Sequence, residues 1–333
     1  MDIEDIVALS VKHNAGDLHL CSGHSPFWRR DGRLQKMAEV QPVSDELLQS
    51  AARGWLDSAQ QDHFARAGQL DFAVTLADGT RLRGNLFRQR LGMSLALRVI
   101  VSECPELAAL GAPPVVSQLL QLRDGLVLVT GATGSGKSTT LAALAGEINR
   151  LQERHIITLE DPIEFIHHSE CSLVQQREIG MHCGSFSDGL RAALREDPDV
   201  ILLGELRDSE TIQLALTAAE TGHLVLATLH TRGAAQAVDR LVDVFPGEEK
   251  ALIRTQLAGS LKAVVAQRLV PGNSTGRVAL FEVLINTPAV ANLIREGKTH
   301  QLPAIVQTGI QSGMQSFEQS IAARQKAGLI ASG

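Results

Sequence analysis

The octapeptide Gly131-Ala132-Thr133-Gly134-Ser135-Gly136-Lys137-Ser138, which directly follows the apolar run Leu126–Thr130, constrains this chain more than any other feature. A β-branched apolar run, a glycine-rich turn and a helical pattern from Thr139 to about Asn149 spell strand, loop, helix. The three glycines let successive backbone N–H groups curl around a polyphosphate, and the helix that begins at the loop turns its positive end toward the same point. In that pattern Lys137 reaches the terminal phosphates, Ser138 ligates Mg²⁺ and Thr139 opens the helix. Gly131 to Thr139 is therefore the expected nucleotide-binding segment.

Three further apolar runs, Ile156–Leu159, Val200–Gly204 and Leu224–Leu229, alternate with helical patterns, so a parallel sheet covered on both faces is expected. Ligands of such sheets bind beyond the carboxyl ends of the strands, and each of these ends is polar. Glu160, Asp161 and Glu164 follow the first run, Glu205 the second and His230 the third. Where an Asp usually ends the second run, Gly204 stands and Glu205 follows it. Water activation is therefore assigned to Glu205, with a metal contact through water, and sensing of the γ-phosphate to His230. Lys137, Glu164, Glu205 and His230 are the catalytic candidates. His223, at the opposite end of its strand, is separated from His230 by roughly 23 Å and belongs to some other contact.

A length of 333 residues suggests two domains. Residues 1–101 mix patterns, with a strand at Asp17–Cys21 and a hairpin from Leu70 to Arg90 that turns at Asp78-Gly79. In that hairpin Arg81 and Arg83 share one face. Pro105, Gly111, Pro113 and Pro114 mark residues 102–118 as a linker. Residues 119–333 form the nucleotide-binding domain, which reads as helical from about 240. The net charge of −6 offers no overall cationic field for nucleic acid. Apolar runs fall short of the roughly 18 residues needed to cross a bilayer, so no direct membrane insertion is expected, and the acidic start MDIEDIVALS is unlike a signal peptide. The spacing of Cys21, Cys104, Cys171 and Cys183 fits neither zinc nor a disulfide framework, so buried thiols are expected.

Taken together, GATGSGKS, LEDPIEF, ILLGELRD and AETGHLVLATLHT resemble the Walker A, Asp-box, Walker B and His-box of the secretion-superfamily motor ATPases. GDLHL, RLRGNLF and the block LREDPDVILLGELRDSETIQLALTAAETGHL extend the resemblance over nearly the whole chain, most closely to type IV pilus retraction ATPases. It implies a PAS-like α+β N-terminal domain, a RecA-like P-loop NTPase domain with a helical C-terminal part, ATP and Mg²⁺ as cofactors, and a cytoplasmic homohexamer that meets the inner membrane through a pilus platform protein. It also implies that N-terminal arginines complete a neighbouring site, with Arg83 and Arg98 favoured over Arg81. Pilus extension ATPases and type II secretion assembly ATPases are the alternatives; the chain lacks their extra N-terminal domains and tetracysteine insertion. A nucleic-acid translocase and a non-hydrolysing scaffold are weaker alternatives. Two departures stand out. The family's AIRNLIRE reads Ala289-Val-Ala-Asn-Leu-Ile-Arg-Glu296 here, with Ala291 replacing the first arginine, and Arg232 occupies a position where a small hydroxyl residue is usual.

Overall fold

A computed structural model describes residues 1–13, 15–30, 33–100, 104–274 and 276–331. The chain divides into two compact units, Met1–Glu103 and Cys104–Gly333. The N-terminal unit runs α1 (Ile3–Lys12), β1 (Asp17–Cys21), β2 (Phe27–Arg30), β3 (Arg33–Lys36), α2 (Asp45–Trp55), α3 (Ser58–Ala67), β4 (Gln69–Thr75), β5 (Arg81–Gln89) and β6 (Gly92–Ile100). Among the described residues its strands form one antiparallel sheet in the order β3-β2-β1-β6-β5-β4. The expected hairpin is β4–β5, with Phe72 opposite Gly84, Val74 opposite Leu82 and Gly79 at φ 87° in the turn. The inward residues Leu82, Leu86, Leu95 and Leu97 alternate along β5 and β6 and meet Ile3, Ile6 and Leu48 of the helices in one core. This is the α+β, PAS-like arrangement.

The second unit begins with α4 (Pro114–Leu119) and continues through β7 (Gly125–Thr130), α5 (Lys137–Leu151), β8 (His155–Glu160), β9 (Leu173–Glu178), α6 (Phe186–Ala193), β10 (Val200–Leu203), α7 (Ser209–Glu220) and β11 (Leu224–Leu229). It ends with α8 (Ala234–Asp243), α9 (Lys250–Ser260), β12 (Leu261–Pro271), β13 (Arg277–Ile285), α10 (Pro288–Glu296), α11 (Leu302–Thr308) and α12 (Phe317–Lys326). Among the described residues the strand order is β13-β12-β7-β11-β10-β8-β9, parallel throughout except for the antiparallel β12–β13 edge. Successive residues of each strand face opposite layers. Leu126 and Leu128 enter the core under α6 to α11, while Val127 and Val129 enter the core under α4 and α5. Strands buried on both sides must be apolar along their whole length, which is why the four runs read so plainly in the sequence.

Three expectations need correction. The stretch from about 240 is not wholly helical, because β12 and β13 lie within it and close the sheet beside β7. The run Ala263–Ala266 is apolar without helical spacing and is fully buried as a strand, and Pro271 at the end of one strand pairs with Arg277 at the start of the next. The proposed linker is largely built into the second unit. Leu107 and Val116 are buried against Leu120 and Val127, while residues 101–103 lie outside the described residues. The cysteines are free, and none of the four is fully buried: Cys21, Cys104 and Cys183 are half-buried. Cys171 is exposed, and only Cys104 is pushed well up, to about 11, chiefly by burial. Among the described residues no helix is long and apolar enough to cross a membrane.

Candidate active site

The loop from Gly131 to Gly136 joins β7 to α5, whose first residues are Lys137 and Ser138, in the strand–loop–helix order that the sequence implies. Gly134 (φ 77°) and Gly136 (φ 89°) adopt the left-handed conformation that side chains resist. A Cβ at Gly131 would collide with Ser135 Oγ and with the Gln267 carbonyl. Gly136 is the N-cap of α5 and offers no side-chain acceptor, so the helix's first N–H groups stay directed into the loop. Ser135 Oγ is buried without a hydrogen-bond partner among the described residues. An unmatched hydroxyl inside a ring of backbone donors fits a phosphate oxygen as its partner.

The parallel register places the ends of β8, β10 and β11 beside this loop. Together they line a cavity of ≈ 250 Å³ that includes Lys137, Ser138, Glu164, Glu205, Arg207 and His230. Four of these side chains form one file. Lys137 Nζ donates to the carbonyls of Gly131 and Ala132, both at 3.0 Å, and lies 3.2 Å from His230 Nδ1. His230 Nε2 is 3.0 Å from Glu205 Oε1, and Glu205 Oε2 is 2.6 Å from Arg207 Nη2. A protonated lysine leaves Nδ1 only the accepting role, so in the neutral imidazole Nε2 carries the hydrogen and donates it to Glu205.

Charges in the cavity are tuned by their surroundings. Burial lowers the affinity of Lys137 for its proton, against the pull of Glu205 and Glu164. Glu205 is opposed by its own partial burial, yet the hydrogen bond from Arg207, together with the proximity of His230 and Arg207, holds its carboxyl below the usual range. Glu160 differs. Burial pushes its carboxyl up, although it accepts from Thr158 Oγ1 (2.6 Å) and Gln176 Nε2 (3.1 Å). It is therefore a lining group, whereas Glu205, held ionised by its neighbours, faces the cavity beside Glu164.

Across Gly136 and Thr139 a second cavity of ≈ 510 Å³ is walled by Leu269, Val278, Arg277 and Arg324. Arg83 and Arg98 lie directly opposite each other on β5 and β6 of the N-terminal unit. Arg98 Nε donates to Asp17 Oδ1 at 2.7 Å, and neither arginine lines the Lys137 cavity. Ala291 sits in α10, partly buried against the core beside Val290 and Ile294.

Two supporting residues escaped the sequence reading. Arg207 follows a recognised acid, and its pairing depends on the bend after β10. Gln267, 3% exposed in β12, accepts from Thr140 Oγ1 at 2.6 Å and backs the phosphate loop. Its only sequence signal is a polar residue inside an apolar strand. Replacing Gln267 by Leu would leave the buried Thr140 hydroxyl without this acceptor. We expect a loss of about 1–3 kcal/mol, read as a lower denaturant midpoint at unchanged slope.

A glycine loop at the end of β7, inside the sheet between β12 and β11, with its counter-residues on the strands alongside, defines a RecA-like phosphate-loop ATPase fold. The profile of the family described as type II/IV secretion system protein matches residues 3–328, and the chain belongs to that family. It is 64% identical over 320 residues to the "Uncharacterized protein YggR" of Escherichia coli, covering 96% of this chain and 97% of that one. Identity is 45% over 330 residues with the type IV pilus retractation ATPase PilT of Pseudomonas aeruginosa, over 99% and 96% of the two chains. The crystal structure of the pilus retraction motor PilT with bound ADP matches it with a TM-score of 0.92 at 41% identity, over 99% of this chain and 95% of that one.

Proposed function

We propose that the chain is the subunit of an ATP-hydrolysing motor of the type IV pilus retraction kind, which turns nucleotide turnover into domain motion at the pilus base. The observation that carries this reading is the His230–Glu205 pair, set at strand ends beside Lys137. Phosphoryl transfer needs positioning and charge stabilisation more than covalent chemistry. In this reading Lys137 moves from its loop carbonyls onto the terminal phosphates. Glu205, ionised and held from both sides, orients the attacking water, and His230 donates toward the γ-phosphate. Glu164 adds negative charge opposite Lys137. The cavity beyond Thr139 takes the base and ribose.

Oxygen donors suit Mg²⁺: the Ser138 hydroxyl would bind it directly and Glu205 through water, while Mg²⁺ keeps most of its shell as water and phosphate. Among the described residues no three His, Cys, Asp or Glu side chains are set to hold an ion unaided, which suits a metal that arrives with its nucleotide. Arg83 and Arg98 of a neighbouring copy in a homohexamer would offset charge on the γ-phosphoryl oxygens. A cytoplasmic ring working on an inner-membrane pilus platform protein completes the proposal. Ala291 leaves hydrolysis intact and alters only coupling.

The test is phosphate release from the purified full chain. We expect turnover with ATP that stops on chelation and returns with Mg²⁺. It should be indifferent to DNA and RNA, in keeping with the net charge of −6. Zero turnover with nucleotide still bound would favour a scaffold, and salt-sensitive stimulation by nucleic acid a translocase.

A further inference from the structure

The segment between His230 and α8 is fastened from three strands. Thr130, at the end of β7, accepts the backbone N–H of Thr231 at 3.1 Å and donates its hydroxyl to the Thr231 carbonyl at 2.7 Å. Arg268 in β12 donates to the Arg232 carbonyl at 3.4 Å, and its guanidinium lies over the Phe317 ring at 3.9 Å. The third fastening is Glu282 in β13, whose Oε1 accepts the Ala234 N–H at 2.8 Å.

That last contact is unusual in its setting. The first N–H groups of a helix need outside acceptors, and the N-cap of α8 is Gly233, which has no side chain to supply one. The acceptor comes instead from a residue 48 positions away. Glu282 interrupts the otherwise apolar run Val278–Ile285, where an acid is costly to desolvate. Burial pushes its carboxyl up, while the Ala234 N–H and Arg268 draw it back. A methyl group at Gly233 would stand 3.2 Å from the same oxygen, so the approach is close.

We propose that Glu282 is a positioning residue for hydrolysis: by capping α8 from β13 it fixes the His230-bearing segment, with Arg268 as the second fastening. The inference rests on the ATPase reading above. Displacing His230 by a fraction of an ångström would spoil its alignment with Glu205 and the phosphates without removing a group that touches either.

The experiment compares Glu282→Ala, Glu282→Gln and Glu282→Asp in the full chain, alone and in a His230→Ala background. We expect E282A to lower kcat at least about tenfold while KM for ATP stays within about twofold. E282Q, which keeps the accepting oxygen, should stay near wild type, and E282D, which withdraws the cap without emptying its space, should fall between. Paired with H230A, E282A should cost nothing further. Hydrogen exchange in E282A should rise at residues 231–237 and not in the phosphate loop. Undiminished kcat in E282A and E282D, a loss that multiplies that of H230A, or unchanged exchange at 231–237 would overturn the proposal while the ATPase reading stands. Wild type without turnover would remove both.

Discussion

Lys137→Ala stops steady-state phosphate release, with kcat expected to fall about 10²–10³-fold or more and ATP binding weakened in parallel. Lys137 is 8% exposed and is tied to two loop carbonyls and to His230. Truncation therefore removes the cation that would meet the terminal phosphates and also frees His230 Nδ1 from its partner. Burial already weakens the hold of Lys137 on its proton, so the favourable state for this ammonium is the one in which anionic oxygens surround it. Phosphate release and equilibrium binding of labelled ATP check the two effects separately. A Lys137→Ala protein with near-normal turnover would falsify the assignment of the loop.

Glu205→Gln separates binding from chemistry. The amide is nearly isosteric, but its single carbonyl oxygen can accept from only one of His230 and Arg207, and it cannot draw a proton from water. Turnover should fall about 10²–10⁴-fold, while ATP remains bound and unhydrolysed. Because its neighbours keep the Glu205 carboxyl below the usual range, the wild-type group stays ionised at neutral pH and loses its charge only as pH falls through that lowered value. Acid inactivation at ordinary carboxylate pH must therefore come from elsewhere. Retained hydrolysis in Glu205→Gln would reject the glutamate as the water-orienting group. Rapid filtration of bound nucleotide, followed by identification of it as ATP or ADP, decides the matter.

Much of this arrangement was legible because its physical causes are local. Strands sandwiched between helices must be apolar end to end, so β7, β8, β10 and β11 appeared as runs, and the polar residue after each run marked the ligand side. The Asp78-Gly79 turn and the alternating leucines gave the hairpin for the same reason. Less was visible where the causes are distant. Leu261–Pro271 and Arg277–Ile285 contain stretches that would suit helix or strand, and only the pairing of the first with β7 and of the second with the first decides between them. Strand β9, Leu-Val-Gln-Gln-Arg-Glu, is half-exposed at the sheet edge and too polar to register as a run. Arg207, Gln267 and Glu282 act through partners that the chain brings together only on folding. Arg232 gained a partial account: its carbonyl is held by Arg268, and nothing in the structure explains the choice of its side chain.

The file from Lys137 through His230 and Glu205 to Arg207 is connected in series. Removing any member takes a partner from each member it touches, much as one open switch darkens a whole string of lamps. Single replacements will therefore report on the string and not on the residue replaced, and their losses will not add. Only pairs of replacements, made at adjoining and at distant links, can apportion the rate among the four groups.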